Sequence, residues 1–249
     1  MIIDIHTHIW GTRSENDKIN LLAAMDRYHV DRIYVSGLQS RTSDREEIAR
    51  LNSLVYEFMQ QEPERVGGAV YVNPRHKDVL DVIQRAVEEQ GFEMIKLWIC
   101  THADDPAVDP IMEYAERTGV PVLFHAFRKS TEQVENESTG IHVANIARRH
   151  PKTKILMAHL GGSCYDGIPA IQELKNVWVD NSGFRLFRGD DLNYTIERIG
   201  AERILLGTDM PGCCASNIGQ VLGADLTQAQ RELIFYKNAQ KLLNRNFRL

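Results

Sequence analysis

The feature of this sequence that most constrains its fold is a regular alternation of short apolar segments with longer amphipathic segments along all 249 residues. Short apolar runs are typical of buried strands, and apolar residues at helical spacing are typical of helices. Strands are predicted at residues 2–6, 32–37, 67–72, 92–98, 120–126, 154–160, 176–182 and 203–209. Helices are predicted at 15–30, 44–61, 77–91 and 191–199, and near 110–118, 140–149, 167–175 and 227–243.

This alternation predicts an α/β fold, a TIM-like (β/α)8 barrel that forms a single domain over residues 1–249. Strands that alternate with helices run parallel, and eight such units in about 250 residues are what a closed barrel needs. An open doubly wound sheet is the alternative. The motif G-x-G-x-x-G does not follow the first strand, which weakens a dinucleotide-binding version of that sheet.

Composition and charge narrow the class of function. The net charge of −5 argues against a nucleic-acid partner, because phosphate contacts need clustered lysine and arginine. No apolar run approaches the roughly 18–20 residues of a membrane span, and Asp4 and His6 interrupt the apolar N-terminus, unlike a signal peptide. We therefore expect a cytoplasmic protein with a small-molecule substrate and no membrane partner, and a homodimer is left open.

Ionisable side chains collect at the carboxyl ends of the predicted strands, where a barrel of this type places its active site. These residues are His6, His8, Lys96, His125, His159 and Asp209. His6 and His8 are two positions apart, so they point to the same side of their strand. Burying so many ionisable groups together costs several kcal/mol unless a metal or ion pairs compensate. The pattern therefore predicts a metal site.

The same residues lie in motifs that resemble the amidohydrolase superfamily, and within it the type-2 branch of hydrolases, lactonases and non-oxidative decarboxylases. The motifs are IDIHTH (3–8), MIKLW (94–98), VPVLFHA (120–126), KILMAHLGG (154–162), VWVDNSG (177–183), ILLGTDMP (204–211) and KNAQKLL (237–243). The resemblance runs from the first residues to the last helix. H-x-H alone is a weak signal, whereas H-x-H followed in order by two histidines and T-D-x-P is strong.

The resemblance implies that His6, His8 and His125 bind a divalent metal, with Asp209 as a further ligand or hydrogen-bonded neighbour. It places His159 close by as a catalytic residue. Nitrogen-rich ligation with a carboxylate suits Zn²⁺, and Mn²⁺, Fe²⁺ and Co²⁺ remain alternatives.

Lys96 separates two interpretations of the metal count. In binuclear members of the superfamily the strand-4 lysine is carboxylated and bridges two ions, and His159 would then bind the second ion. The type-2 branch usually keeps this lysine with one metal. We expect one metal, with Lys96 contacting substrate or balancing charge; a buried lysine paired with a carboxylate is the simpler alternative.

Several residues carry weaker predictions. Asp4 shares the parity of His6 and His8 and is either a partner of the ligands or a hydrogen-bonded core carboxylate. Gly161 and Gly162 are expected to permit a tight turn after His159. Arg128, Arg185 and Arg188 are candidates to clamp a substrate carboxylate, and Trp10 and Trp98 are candidates to line a pocket, with solvated loops and packing as the simpler interpretations.

The four cysteines, Cys100, Cys164, Cys213 and Cys214, are expected to be reduced thiols. They follow predicted strands 4, 6 and 8, which places them on the side of the active site. Small packing residues are the simpler interpretation of this placement. The alternative hypothesis is that oxidation of these thiols inhibits the enzyme.

The function that we expect is metal-dependent hydrolysis of a small ester, lactone or amide by a metal-activated water. Asp209 would be the general base and carry the proton to the leaving group, and His159 would steady the developing oxyanion or orient the substrate. The alternative is a metal-dependent decarboxylase of an aromatic or unsaturated carboxylic acid. Family decarboxylases tend to be longer, which modestly favours hydrolysis here. A non-catalytic metal-binding barrel and a nuclease are weaker alternatives.

Overall fold

The computed structural model describes residues 1–183, 189–209 and 214–245. Its eight parallel strands form one sheet in the order β1 to β8, as the sequence predicts. The strands are β1 (Ile3–Trp10), β2 (Arg32–Leu38), β3 (Val66–Tyr71), β4 (Met94–Leu97), β5 (Val122–Phe124), β6 (Ile155–Met157), β7 (Val177–Asp180) and β8 (Ile204–Leu205). The prediction of a TIM-like (β/α)8 barrel is confirmed.

Backbone hydrogen bonds between β1 and the end of β8 close the barrel. The amide of Ile5 donates to the carbonyl of Leu206 at 2.9 Å. The carbonyl of His6 then accepts from the amides of Thr208, at 3.2 Å, and Asp209, at 2.7 Å. The first and last strands therefore meet at the positions of the predicted site.

The helices surround the sheet, and most coincide with the predicted ones. They are α1 (Ser14–Tyr28), α2 (Arg45–Gln61), α3 (Val79–Gln84), α4 (Asp109–Thr118), α5 (Gly140–Arg149), α6 (Cys164–Ile171), α7 (Gly189–Ile199), α8 (Cys214–Gly223), α9 (Gln228–Glu232) and α10 (Asn238–Leu243). Wider π-helical turns at Arg85–Glu89 and Leu233–Lys237 extend α3 and join α9 to α10. Within the described ranges, no helix combines the length and the apolar character that crossing a bilayer requires.

The helix α8 was not predicted from the sequence. Its residues, CASNIGQVLG, place Cys214, Ile218 and Val221 at helical spacing, but they also include two glycines, which disfavour a helix. The helix nevertheless packs against the barrel through Ile218 and Val221. Tertiary burial therefore outweighs a weak local preference in this segment.

A β-bulge in β1 changes which of its side chains face the barrel interior. The register with β2 shifts between Asp4 and Thr7, which breaks the strict alternation of the strand. Ile5 packs in the inner core layer with Met94 and Leu123, while His6 also turns inward. Strand parity alone does not anticipate this arrangement.

The bulge places Asp4 away from the metal-ligand candidates. Its carboxylate accepts from the Thr208 hydroxyl at 2.5 Å and from the amides of Thr208 and His6, both at 3.1 Å. Burial raises the pKa of Asp4 to about 7. Asp4 thus matches the second of its two interpretations, a hydrogen-bonded core carboxylate.

The chain turns sharply after β6, as expected from the two glycines. His159 and Leu160 have φ values of 60° and 49°, and Gly161 and Gly162 follow with 79° and 81°. Positive φ is costly for side chains with a Cβ, so the surrounding contacts must hold this turn. A Cβ on Gly162 would overlap the backbone nitrogen of Arg128. Gly162 therefore serves both the left-handed backbone and the close approach of the loop after β5.

We predict that Gly162→Ala destabilises the protein more than Gly119→Ala does. Both glycines have nearly the same φ, 81° and 77°, so both variants incur the left-handed cost of about 1–2 kcal/mol. Only in Gly162→Ala would the new Cβ also overlap the backbone of Arg128, which should lower the free energy of unfolding by a further 1–3 kcal/mol or so. Nothing lies within 4 Å of a Cβ at Gly119. Urea unfolding of the two variants measures the difference, and equal losses would contradict the close approach.

Candidate metal centre

Three of the predicted ligands converge at the carboxyl end of the barrel. His6 Nε2 lies 3.1 Å from His8 Nε2, and Asp209 Oδ1 lies 3.6 Å and 3.2 Å from these two nitrogens. The three donor atoms are all within 4.8 Å of one another, a spacing that could hold a metal ion. Asp209 itself has a φ of 70°, and its side chain is 25% exposed, so solvent reaches this carboxylate.

The remaining predicted residues border this cluster. His159 Nε2 lies 3.9 Å from Asp209 Oδ1 and 3.2 Å from His125 Nδ1. Lys96 Nζ lies 3.0 Å from His6 Nε2 and is fully buried. The structure thus brings all six predicted residues together, with His125 reaching the cluster through its contact with His159.

Buried hydrogen-bond partners orient the rings of His6, His8 and His159. His6 Nδ1 lies 3.0 Å from Asp180 Oδ2, and His8 Nδ1 lies 2.7 Å from the Ser36 hydroxyl. The Ser182 hydroxyl donates to Asp180 and is 2.8 Å from His159 Nδ1, from which it can accept. With Nδ1 of His6 and His159 donating, Nε2 of each ring carries a lone pair that faces the cluster.

The fourth ring, His125, presents its opposite nitrogen. Its Nε2 lies 3.0 Å from Glu137 Oε1, so the ring donates there and turns Nδ1 towards His159. An ionised carboxylate can only accept, which determines the direction of this hydrogen bond.

Burial keeps these imidazoles in the form that binds metals. It lowers the pKa of His6 to about 3 and of His125 to about 4, and it also lowers the pKa of His8. Burial alone would raise the pKa of Asp209, but the nearby His159 and the hydrogen bond from His8 hold it well below its usual value. Neutral imidazole and ionised carboxylate are the protonation states that metal binding requires.

The donor set fits a divalent cation. His6 Nε2 and His8 Nε2 lie 3.1 Å apart, and two ring nitrogens at this distance repel when both carry lone pairs unless a cation lies between them. Ligands at about 2.0–2.2 Å from a common ion lie roughly 3 Å or more apart, as these donors do. Each ring also has a partner on its other nitrogen, the arrangement typical of metal-ligating histidines. The second group with ligand spacing, His6, His159 and Asp180, surrounds the Ser182 hydroxyl.

Lys96 does not match the interpretation of a lysine paired with a carboxylate. In the described part of the chain, its hydrogen-bond partner is His6, and no carboxylate forms an ion pair with it. Burial lowers the pKa of Lys96, and the negative charges of Asp209 and Asp180 raise it in part. The net result is a pKa of about 8. Contact with substrate and carboxylation both stay predictions.

Four partners of the histidines were not predicted from the sequence: Ser36, Glu137, Asp180 and Ser182. Asp180 and Ser182 carried a signal, because Asp180 ends strand β7 and Ser182 follows two positions later within the VWVDNSG motif. Glu137 carried none, because it lies in the loop between β5 and α5 where no periodicity applies.

The weaker predictions have mixed outcomes. Arg128 lies at the surface beside the first turns of α5 and α6, in a cleft that Ile141 and Tyr165 also line. Trp10 and Trp98 pack edge to face at 5.9 Å. Arg185 and Arg188 lie outside the described residues, so their proposed role stays a prediction.

The described thiols are poor targets for oxidation. Cys100, Cys164 and Cys214 are buried, whereas Cys213 lies outside the described residues. Burial raises the pKa of Cys164 to about 12 and also raises the pKa of Cys100. A protonated thiol is a weak nucleophile, which favours the packing interpretation over inhibition by oxidation.

Solved structures share this fold at low sequence identity. A 2,6-dihydroxybenzoate decarboxylase from Rhizobium aligns with a TM-score of 0.77 and 18% identity over 98% of each chain. A dihydroxybenzoic acid decarboxylase from Polaromonas, solved with bound manganese and 2-nitroresorcinol, aligns with a TM-score of 0.76 and 18% identity over 98% of this chain and 96% of that one. A 4-oxalomesaconate hydratase from Rhodopseudomonas palustris aligns with a TM-score of 0.70 and 18% identity over the same shares.

The sequence comparisons identify the family. A search among curated proteins finds no match. A family model described as amidohydrolase, the amidohydrolase-2 model, matches residues 3–245, nearly the whole chain. The motifs and the strand-end residues quoted above all lie within this match. The chain belongs to the amidohydrolase-2 family of metal-dependent enzymes.

Proposed function

We propose that this enzyme hydrolyses a small ester, lactone or amide with the help of one divalent ion held by His6, His8, His125 and Asp209. The observation that carries the proposal is the convergence of His6 Nε2, His8 Nε2 and Asp209 Oδ1 at a solvent-reachable point. A divalent ion there would lower the pKa of a bound water towards about 7 and polarise a substrate carbonyl. We expect Zn²⁺ from the nitrogen-rich donors, and the manganese in the Polaromonas enzyme makes Mn²⁺ a strong alternative.

Asp209 has the position of a general base. It is the most exposed member of the donor cluster, and its Oδ1 lies beside both His8 Nε2 and His159 Nε2. It would accept the proton of the attacking water and return it to the leaving oxygen or nitrogen as the acyl bond breaks. The left-handed backbone at Asp209 and the two amides bonded to the His6 carbonyl hold the carboxylate at this point.

His159 and Lys96 flank the same space and would act on the substrate. The hydrogen bond between His159 Nδ1 and the Ser182 hydroxyl orients the ring so that its Nε2 points towards Asp209 and His125. His159 would orient the substrate or steady the negative charge that develops on the carbonyl oxygen. Lys96 would donate to a substrate oxygen from its buried position beside His6.

The second candidate is decarboxylation of an aromatic or unsaturated carboxylic acid. The solved structures favour it, because those from Rhizobium and Polaromonas are decarboxylases of dihydroxybenzoates. The expectation that family decarboxylases tend to be longer does not separate the two reactions, since the alignment covers 98% of the Rhizobium chain. In this reaction Lys96 or His159 would contact the substrate carboxylate, and an acid would protonate the carbon that loses CO₂.

A substrate panel separates the two reactions. The metal-loaded enzyme is incubated with lactones, aryl esters, anilides and hydroxybenzoates, and both acid release and CO₂ release are measured. Hydrolysis of a lactone or ester without CO₂ supports the first candidate. Release of CO₂ from a hydroxybenzoate, with all esters and lactones left intact, would replace it with the second.

We predict that Asp209→Asn abolishes turnover while largely retaining the metal. The amide cannot accept the water proton, so kcat should fall by about 10²–10⁴-fold. The amide oxygen and the three histidines should still hold the ion. Asp26→Asn is the control, because Asp26 is an exposed residue on α1 that pairs with Arg65. Metal content and kcat are measured together, and a kcat near wild type would show that Asp209 is not the base.

A further inference from the structure

We propose that Glu137 is a positioning residue for the metal centre, which sets the ring tautomer of His125, and that Lys129 and Gln133 hold Glu137 in place. The inference rests on the proposed metal-binding role of His125. It adds a residue that no motif of the sequence indicates, and it makes the loop between β5 and α5 part of the site.

Glu137 is a buried acceptor directed at one ring nitrogen. Its side chain is 3% exposed, and Oε1 lies 3.0 Å from His125 Nε2. Because the carboxylate only accepts, the proton of neutral His125 must lie on Nε2. The lone pair of Nδ1 then points to His159 Nε2, 3.2 Å away, on the side of the cluster. Without Glu137 the proton could move to Nδ1, which would block that nitrogen as a ligand.

The second oxygen of Glu137 is held by the loop itself. Lys129 Nζ lies 3.1 Å from Oε2, and Gln133 Nε2 donates to Oε2 at 2.8 Å. Gln133 also donates to the Phe127 carbonyl and accepts from the Lys129 amide, both at 2.9 Å. These contacts fold residues 127–137 back on themselves. Oε2 of Glu137 therefore accepts hydrogen bonds from the loop, which leaves Oε1 to accept from His125.

The partner of His125 differs in origin from those of His6 and His8. His6 bonds Asp180 on β7, His8 bonds Ser36 on β2, and both partners belong to the barrel wall. His125 lies beyond the last residue of β5, and its partner is in a loop. Loops are the less stable parts of a fold, so the order of this loop and the affinity for metal should be coupled.

The direct test measures the tautomer of His125 and the affinity for metal in matched variants. Nitrogen-15 NMR of the metal-free protein should show His125 protonated on Nε2, with its signals assigned by comparison with His125→Asn. In Glu137→Leu the proton should move to Nδ1 or exchange between the two nitrogens. Competition with a chromophoric chelator should show a 10–100-fold weaker affinity for Zn²⁺. Glu137→Gln, whose amide oxygen still accepts, should lose less than Glu137→Leu.

Lys129→Met keeps the test informative if Glu137→Leu does not fold. The substitution removes one contact to Oε2 but leaves the hydrogen bond between Oε1 and His125. Removing the direct partner of a metal ligand costs roughly tenfold or more in affinity, so this indirect change should cost about 3–10-fold in Zn²⁺ affinity. The circular dichroism spectrum should remain native. Lys152→Met is the matched control, since Lys152 is 81% exposed and pairs with Glu116 far from the site. Its affinity for Zn²⁺ should equal that of the wild type.

The proposal is overturned if folded Glu137→Leu keeps the Nε2 tautomer and binds Zn²⁺ within twofold of the wild type. It is also overturned if Lys129→Met and Lys152→Met have the same affinity for Zn²⁺. Neither readout uses turnover, so the outcome is separate from whether the enzyme hydrolyses or decarboxylates its substrate.

Discussion

The backbone hydrogen bonds that close the barrel also assemble the candidate metal centre. The carbonyl of His6 accepts from the amides of Thr208 and Asp209, so one peptide group joins the first and last strands. This contact fixes the Asp209 carboxylate beside His8, although the two residues are 201 positions apart. Asp4 strengthens the junction through the Thr208 hydroxyl and the amides of Thr208 and His6. Barrel closure and the geometry of the site are therefore one structural requirement.

The second requirement is the orientation of four imidazoles, of which His6, His8 and His159 are buried and His125 is partly buried. A neutral histidine offers one donor and one acceptor nitrogen, and the partner of the first determines where the second points. Asp180 and Ser182 set His6 and His159, Ser36 is the partner of His8, and Glu137 sets His125. The result is a group of ring lone pairs directed at one space, an arrangement that is costly without a cation and favourable with one.

Much of the fold could be predicted from the sequence because its signals are local. Apolar runs and helical spacing indicate the eight strands and most helices, and the ends of parallel strands converge in any closed barrel. His6, Lys96 and Asp209 were predicted to meet from separate strands, and in the structure Lys96 and Asp209 lie 3.0 Å and 3.6 Å from His6 Nε2. The helix at Cys214–Gly223 was not predicted: its apolar residues have helical spacing, but its two glycines disfavour a helix that tertiary packing nevertheless stabilises.

The remaining features depend on contacts that leave little local trace. The bulge in β1 reverses the side on which Asp4 would lie by parity, and it is visible only in the register with β2. Glu137 belongs to a loop, where no periodicity relates it to His125. Residues that bind metal directly have characteristic spacing in sequence, whereas the residues that orient them can come from any neighbouring element.

The central claim is that His6, His8, His125 and Asp209 hold one divalent ion. The measurement that tests it most directly is elemental analysis of metal per chain in the purified wild type, in His8→Asn and in Lys96→Met. The account predicts one equivalent in the wild type and in Lys96→Met, and none in His8→Asn. Full metal content in His8→Asn would contradict the site, and two equivalents in the wild type that fall in Lys96→Met would contradict the single ion.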